Sequence, residues 1–131
     1  MDALRPVLAD DPRVAYALLF GSSAHDTAHQ DSDLDVAIAF RAGITMDTRA
    51  LGELVSALES AAGGRRVDLL LIDEAPPSVA YRAFRDGVVL VENDHRALAT
   101  RKARAILEYL DFRPFEELAA RGVLSAAAHG R

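Results

Sequence analysis

One stretch of the sequence, LFGSSAHDTAHQDSDLDVAIAF at residues 19–40, places small polar and acidic residues at the ends of two apolar runs, where such residues could bind phosphate or a metal ion. It ends an apolar run with Gly21 and Ser22 and opens the next apolar run with Asp33 and Asp35. An acidic pair at the start of a buried strand costs free energy unless a neighbouring group compensates the charge. The function of the protein therefore depends on what these two carboxylates bind.

Asp33 and Asp35 project from one face of an extended chain, because alternate residues of a strand share a face. Two carboxylates on one face repel, and a shared proton, a cluster of arginines or a divalent metal ion relieves that repulsion. The nearest arginines in the sequence are Arg13 and Arg41. A set of oxygen ligands without cysteine suits Mg²⁺ or Mn²⁺.

A third acid repeats this pattern, since Asp68 lies near the start of the apolar run at 66–72. If that strand pairs beside 34–40, a strand spacing of about 4.8 Å brings all three carboxylates around one small volume. Such a cluster suits two metal ions, which serve phosphoryl transfer. Gly21 then lets the backbone approach a phosphate, and Ser22 donates to it from a helix N-terminus.

Apolar runs alternate with amphipathic segments along the chain, which predicts an α/β (α+β) protein with a mixed sheet flanked by helices. The strands are predicted at 14–20, 34–40, 66–72 and 88–92, and the helices at 2–9, 22–29, 47–61, from 76 to the turn at 86–87, and from 94 to about 112, where Pro114 interrupts the last one. We expect one catalytic domain over residues 1–113. Residues 114–131 are expected to form a partly ordered extension that contacts a partner.

The composition limits the classes of function. The 131 residues include no cysteine, which excludes disulfides, thiolate metal sites and a cysteine nucleophile. A net charge of −5 argues against a broad basic face for nucleic acid. No apolar run approaches the roughly 18 residues of a membrane span. We therefore expect a soluble cytoplasmic protein that binds neither nucleic acid nor a membrane directly.

Other candidate residues have a structural interpretation beside the functional one. His25 and His29 are four residues apart and could bind a transition metal, although a solvated helix face is favoured. The basic stretch from Arg96 to Arg104 either neutralises a triphosphate, docks a partner or forms a solvated helix face, and the last is favoured. The later aromatic residues are expected in the core or an interface: Tyr81, Tyr109, Phe112 and Phe115.

The motif GSSAHDTAHQDSDLD resembles the nucleotide-binding signature of the polymerase-beta-like nucleotidyltransferase superfamily, Gly-Ser-x10-Asp-x-Asp, without a gap. The downstream segments RVDLLLIDEAPPSVAYRAFRDGVVLVENDHRA and AILEYLDFRPF resemble the minimal nucleotidyltransferases. These are the MntA-type antitoxins of HEPN/MNT toxin-antitoxin pairs. The resemblance extends over about residues 13–118, and it implies the polymerase-beta-like nucleotidyltransferase fold.

The resemblance also implies roles for particular residues. Asp33 and Asp35 match the acids that hold both metal ions, and Asp68 matches the acid that shares one ion and helps to deprotonate the incoming hydroxyl. Gly21 and Ser22 match the pair that holds the nucleotide phosphates. The predicted site thus comprises the catalytic and metal-binding acids Asp33, Asp35 and Asp68, and the nucleotide-binding residues Gly21, Ser22 and Ser32.

The activity implied by the resemblance is Mg-ATP-dependent protein adenylylation. The expected reaction uses two Mg²⁺ ions, or Mn²⁺ in their place, and transfers AMP from ATP to a tyrosine of a HEPN-family RNase toxin. The antitoxin neutralises this toxin within a hetero-oligomer. Two alternatives stay open: a steric antitoxin with an inactive nucleotide site, and a stand-alone nucleotidyltransferase acting on a small molecule such as an aminoglycoside.

Overall fold

A four-stranded sheet with helices on both faces forms the architecture. The computed structural model describes residues 2–21 and 33–111, together with the backbone of residues 112–120. In chain order the elements are α1 (Leu4–Ala9), β1 (Val14–Phe20), β2 (Leu34–Phe40), α2 (Thr48–Ala61), β3 (Val67–Leu71), a 3₁₀ turn (Ile72–Glu74), α3 (Pro77–Asp86), β4 (Val88–Glu92) and α4 (His95–Ala120). The predicted fold class is confirmed.

The strand order in the sheet is β3-β2-β1-β4. β1 pairs antiparallel with both β2 and β4, whereas β2 and β3 run parallel. The end of β1 and the starts of β2 and β3 therefore lie together at one end of the sheet. We call this the acidic end, because Asp33, Asp35 and Asp68 lie there. The opposite end, where β2 and β3 finish, is the distal end.

Alternation along the strands divides the apolar side chains between two cores. The first core joins one face of the sheet to α1 and α2 through Leu4, Leu8, Leu54 and Leu58. The second core joins the opposite face to α3 and α4 through Ala80, Ala83, Phe84, Leu98 and Ala105. Each fully buried leucine stabilises the fold by about 1.5–3 kcal/mol. The central strands are therefore fixed from both faces.

The starts of the helices follow local sequence signals. The carboxylates of Asp47 and Asp94 each accept a hydrogen bond from the backbone N–H three residues on, at 2.7 Å before α2 and 3.0 Å before α4. Pro77 begins α3, where its missing N–H leaves no helical bond unmade. After α2, Gly63 and Gly64 have φ of 70° and 92°, which ends that helix as predicted.

The last helix differs from the prediction. α4 runs without a break from His95 to Ala120, so the predicted interruption at Pro114 is wrong. Proline inside a helix removes one backbone hydrogen bond and crowds the preceding turn, at a cost of about 3 kcal/mol. That cost weakens a helix without always ending it. The division into residues 1–113 and 114–131 stays a prediction.

Two further predictions concern the end of β3 and the helix at 22–29. β3 ends at Leu71 rather than at Ile72, because Ile72 begins the 3₁₀ turn and lies fully buried in the second core. The helix predicted at 22–29 lies outside the described residues. Among the helices of the described part of the chain, none combines the length and the apolar character that crossing a membrane requires.

Candidate active site

Asp35 lies at the centre of the acidic end. In the sheet its Cα is paired with Phe20 of β1 on one side and with Asp68 of β3 on the other. Neighbouring strands are about 4.8 Å apart, so the end of β1 and the acid of β3 both lie next to Asp35. The predicted pairing of residues 34–40 with the third strand is confirmed, and it brings Asp68 beside Asp35.

The acids project from the face of the sheet that carries the second core. Leu34 and Val36, which flank Asp35, are buried in the first core, so Asp35 points to the opposite face. Asp33 lies two residues earlier on that same face. Asp33 and Asp35 are half-buried and Asp68 is exposed. The cluster is therefore open to solvent on the β3 side.

Burial raises the pKa of Asp35, and the carboxylates of Asp68 and Asp33 raise it further. The pairing of the strands and the electrostatics thus agree that the three carboxylates are neighbours. A carboxylate held beside two others is less stable in its charged form than a solvated one. A cation bound among the three acids removes this penalty.

Gly21 closes the cluster on the β1 side. Its φ is 70°, in the left-handed region that favours glycine, and a Cβ atom there would lie 2.6 Å from Oδ2 of Asp35. The sequence predicts Gly21 as a contact for phosphate. The structure adds a second reason for glycine, since any side chain would displace the Asp35 carboxylate.

The arginines nearest in sequence do not neutralise the acids. Arg13 binds Asp11 through two hydrogen bonds, at 2.9 Å from Nε and 2.7 Å from Nη2. Arg41 follows the end of β2 and donates to backbone carbonyls of residues 12 and 93 at 2.9 and 3.2 Å. Both side chains belong to the distal end. Of the three resolutions open from the sequence, pairing with these arginines is therefore excluded.

A model of the polymerase beta nucleotidyltransferase family matches residues 2–96, which include Gly21 and the three acids. The chain belongs to this family. The resemblance inferred from the Gly-Ser and Asp-x-Asp motif is thereby confirmed. A comparison of this nucleotidyltransferase with curated proteins finds no significant match.

Several solved structures with the same fold are toxin-antitoxin complexes. A toxin-antitoxin structure with AMP-PNP is 24% identical, covering 94% of this nucleotidyltransferase and 97% of that chain, with a TM-score of 0.75. The structure of a tri-AMPylated Shewanella oneidensis HEPN toxin in complex with MNT antitoxin contains a chain that is 22% identical. The match covers 95% of this nucleotidyltransferase and 99% of that chain, with a TM-score of 0.68. A protein described as a minimal nucleotidyltransferase gives 29% identity over 66% and 86%, with a TM-score of 0.56.

The chemistry of the three acids fits magnesium. They offer only oxygen ligands, as Mg²⁺ and Mn²⁺ prefer, and their mutual repulsion favours a bound cation. Within residues 2–21 and 33–120, no three His, Cys, Asp or Glu side chains are already gathered closely enough to form a metal site. The fit of this nucleotidyltransferase to Mg²⁺ rests on donor chemistry and strand register.

Several residues predicted as site candidates lie outside the described residues or far from the acids. Ser22 and Ser32, predicted to bind the nucleotide, and the histidine pair at positions 25 and 29 fall outside the described residues. The basic stretch of α4 begins at the distal end, where Arg101 donates to the carbonyl of Ile72 and to Asp73. That part of α4 is therefore remote from the acids.

The aromatic pair of α3 and α4 packs between the two helices. The rings of Tyr81 and Tyr109 stack in parallel, with centroids 4.1 Å apart and an interplanar angle of 4°. The guanidinium of Arg85 lies 5.5 Å from the centroid of Tyr81. This arrangement agrees with the expected packing role of the two tyrosines.

Sequence reasoning missed Arg66, which lies beside the acids. Its carbonyl accepts a hydrogen bond from the backbone N–H of Leu34 at 2.8 Å, at the start of β2. The signal that could have found it is its spacing, because a residue two positions before Asp68 shares its face of an extended chain.

Proposed function

We propose that this protein is an antitoxin nucleotidyltransferase that transfers AMP from ATP to a tyrosine hydroxyl of a HEPN-family RNase toxin. The observation that carries the proposal is the row of Phe20, Asp35 and Asp68 across three strands, closed by Gly21 against the Asp35 carboxylate. The fold shared with a toxin-antitoxin structure holding AMP-PNP and with a complex of a tri-AMPylated HEPN toxin supports the proposed donor and acceptor.

The proposed reaction is a single in-line displacement at phosphorus. The tyrosine oxygen forms a bond to the α-phosphorus of ATP, and the bond from that phosphorus to the bridging oxygen of the β-phosphate breaks. Pyrophosphate leaves with the bonding electron pair, and the tyrosine proton passes to Asp68 or, through it, to water. AMP is then joined to the toxin through a phosphodiester.

The chain contributes position and charge to this reaction. Gly21 leaves room for the backbone to approach the triphosphate on the β1 side, and Asp68 faces the acceptor on the β3 side. The proposed ligands of two Mg²⁺ ions, or of Mn²⁺, are Asp33, Asp35 and Asp68. When bound, these ions neutralise charge on the phosphate oxygens and on the leaving group.

A steric antitoxin is disfavoured by the electrostatics of the site. Burial and two neighbouring carboxylates raise the pKa of Asp35, so the cluster costs stability whenever all three acids are charged. A protein that only masks its partner gains nothing from that cost. The crowded acids therefore favour a catalytic role.

Label transfer tests the proposal. The protein is incubated with Mg²⁺, ATP labelled at the α-phosphate and a HEPN protein encoded beside it, and label on the partner is measured. The parent and Asp10→Asn should transfer AMP, because Asp10 is an exposed acid at the end of α1, remote from the cluster. Asp35→Asn should transfer none. An unlabelled partner with the parent protein contradicts the proposed function.

A further inference from the structure

Arg66 lies next to the three acids at the acidic end of the sheet. β2 and β3 are parallel with Leu34 beside Val67, and the carbonyl of Arg66 accepts the hydrogen bond of the Leu34 N–H at 2.8 Å. Because Leu34 lies beside Val67, the residues that precede them, Asp33 and Arg66, also lie side by side. The two strands are about 4.8 Å apart, so this arginine is a direct neighbour of an acid.

Arg66 also projects from the same face as the acids. Val67 is buried in the first core at 5% exposure, so its neighbours Arg66 and Asp68 point to the opposite face. Asp35 of β2 projects from that face, and so does Asp33, which directly precedes β2. The four positions form a two-by-two block with three carboxylates and one guanidinium.

The guanidinium of Arg66 is not used within the fold. The side chain is exposed, and it forms no ion pair or hydrogen bond with any of the residues that the structure describes. Arg85, which precedes β4 at the same end of the sheet, is instead bound to Asp86 at 2.8 and 2.9 Å. Arg66 is therefore available to a ligand.

The reaction needs a further cation at this place. Even two Mg²⁺ ions leave three carboxylates and ATP with a net negative charge, and more charge reaches the phosphoryl oxygens as the hydroxyl attacks. A guanidinium offers a planar fork of donors that matches phosphate oxygens. Such a donor aimed at developing charge stabilises the transition state.

The side of the cluster on which Arg66 lies decides which part of the reaction it serves. Gly21 closes the β1 side, where the triphosphate approaches the backbone. Asp68 is on β3 and Arg66 directly precedes that strand, so both lie on the opposite side of Asp35. Arg66 thus lies with the acid that faces the acceptor hydroxyl.

We propose that Arg66 is a further catalytic residue, whose guanidinium contacts the α-phosphoryl oxygens of ATP on the acceptor side and stabilises the charge that develops there as the hydroxyl attacks. This proposal rests on the proposed function. The contact is made to the reacting phosphoryl group, and the affinity for the β- and γ-phosphates comes from the β1 side.

The first measurement needs no acceptor. Mn²⁺ binding without nucleotide is measured by calorimetry for the parent, Arg66→Gln and the control Arg96→Gln, which removes an exposed arginine at the start of α4. Removing a positive charge beside the acids should tighten Mn²⁺ binding on the order of threefold in Arg66→Gln only. Unchanged or weaker binding would show that Arg66 does not face the acids, and would overturn the proposal.

The second measurement follows transfer to the partner. Arg66→Gln should lower kcat about 10²-fold at saturating ATP, while the Kd for ATP changes less than about threefold. Arg66→Lys should recover part of kcat, and Arg96→Gln should match the parent. Unchanged kcat overturns the proposal, and so does weaker ATP binding with kcat retained. If the parent itself transfers nothing, the proposed function has failed, and Mn²⁺ binding alone decides whether Arg66 faces the acids.

Discussion

Asp35 is the residue on which the site depends most. It is paired with β1 on one side and with Asp68 on the other, and both burial and neighbouring charge raise its pKa. A group held in this way lowers stability in exchange for function. Replacement of Asp35 should therefore remove activity without lowering stability.

Replacement of Asp35 by asparagine should leave the metal-free protein as stable as the parent at pH 7, or more stable by up to about 1 kcal/mol. Because the pKa of Asp35 is raised in the folded state, the folded protein holds this proton more tightly than the unfolded chain. The penalty is absent below the ordinary pKa of 3.8 and grows as the pH rises from there through the raised value. Urea unfolding in chelator at pH 3.5 and pH 7 measures it.

The difference between Asp35→Asn and the parent should be smaller at pH 3.5 than at pH 7. A loss of several kcal/mol in the variant at pH 7 would contradict this account, since it would make Asp35 a structural acid.

Gly21→Ala should destabilise the protein by about 1–2 kcal/mol, because alanine resists the left-handed backbone at φ 70°. Its methyl group would also displace the Asp35 carboxylate, so AMP transfer should fall. Gly52→Ala is the matched control: this glycine lies within α2 with open space around it, and alanine there should stabilise by about 0.5–1 kcal/mol. Equal stability of Gly21→Ala and the parent would contradict the close approach.

At the scale of elements, sequence patterns predict most of the fold. β1, β2 and β4 match their predicted bounds, because each is an apolar run bounded by polar or glycine residues. Strand order and register depend on contacts between distant segments, so the sequence brings Asp35 beside Asp68 only if their strands are neighbours, and the structure shows that they are. The continuation of α4 past Pro114 does not follow from the sequence, because the local effect of proline weakens a helix without always ending it.

The dependence of strand pairing on distant contacts also explains which site residues the sequence predicts. Gly21, Asp33 and Asp35 belong to a motif with fixed spacing, and Asp68 is predicted from its place near the start of a later apolar run. Arg66 has no motif, and its importance appears only when β3 lies beside β2. Ser22 and Ser32 stay predictions.

Arg101 of α4 is hydrogen-bonded to the 3₁₀ turn after β3, so its substitution measures how much this contact stabilises the fold. Its side chain is 9% exposed, and it donates to the Ile72 carbonyl at 3.3 Å and to Asp73 at 3.2 Å. Arg101→Ala should cost about 2–3 kcal/mol, because it removes buried hydrogen bonds and packing. Asp73→Ala should cost less than about 1 kcal/mol, since Asp73 is 64% exposed. Equal costs in urea unfolding would contradict this view of the α4 contact.

For the whole molecule, the described apolar side chains of α4 divide between the second core and the solvent. The contacts of α4 with the sheet come from Leu98 and Ala105, well before Pro114, whereas Leu107 and Leu110 are 63% and 49% exposed. Removal of residues 114–131 should therefore weaken binding of the partner more than it lowers Tm. Calorimetric titration and thermal unfolding of the same variant give the ranking, and the opposite ranking would assign the segment to the core.

The whole molecule holds three acids together at one end of a sheet fixed from both faces, with Asp35 and Asp68 in register, which is costly for a protein that only binds. If the acids serve transfer, a change in the acid that faces the acceptor should remove chemistry and leave binding intact. The Asp68 side chain is exposed and forms no hydrogen bond or ion pair with the residues described, so Asp68→Asn should fold normally.

The decisive measurement is AMP transfer by Asp68→Asn to the proposed HEPN partner, made together with its affinity for ATP and for that partner. Transfer should fall at least 10²-fold, both affinities should stay within about threefold of the parent, and cells that carry the variant should be poorly protected from the toxin. An Asp68→Asn variant that protects cells as well as the parent would show that neutralisation is steric, and it would contradict the catalytic account.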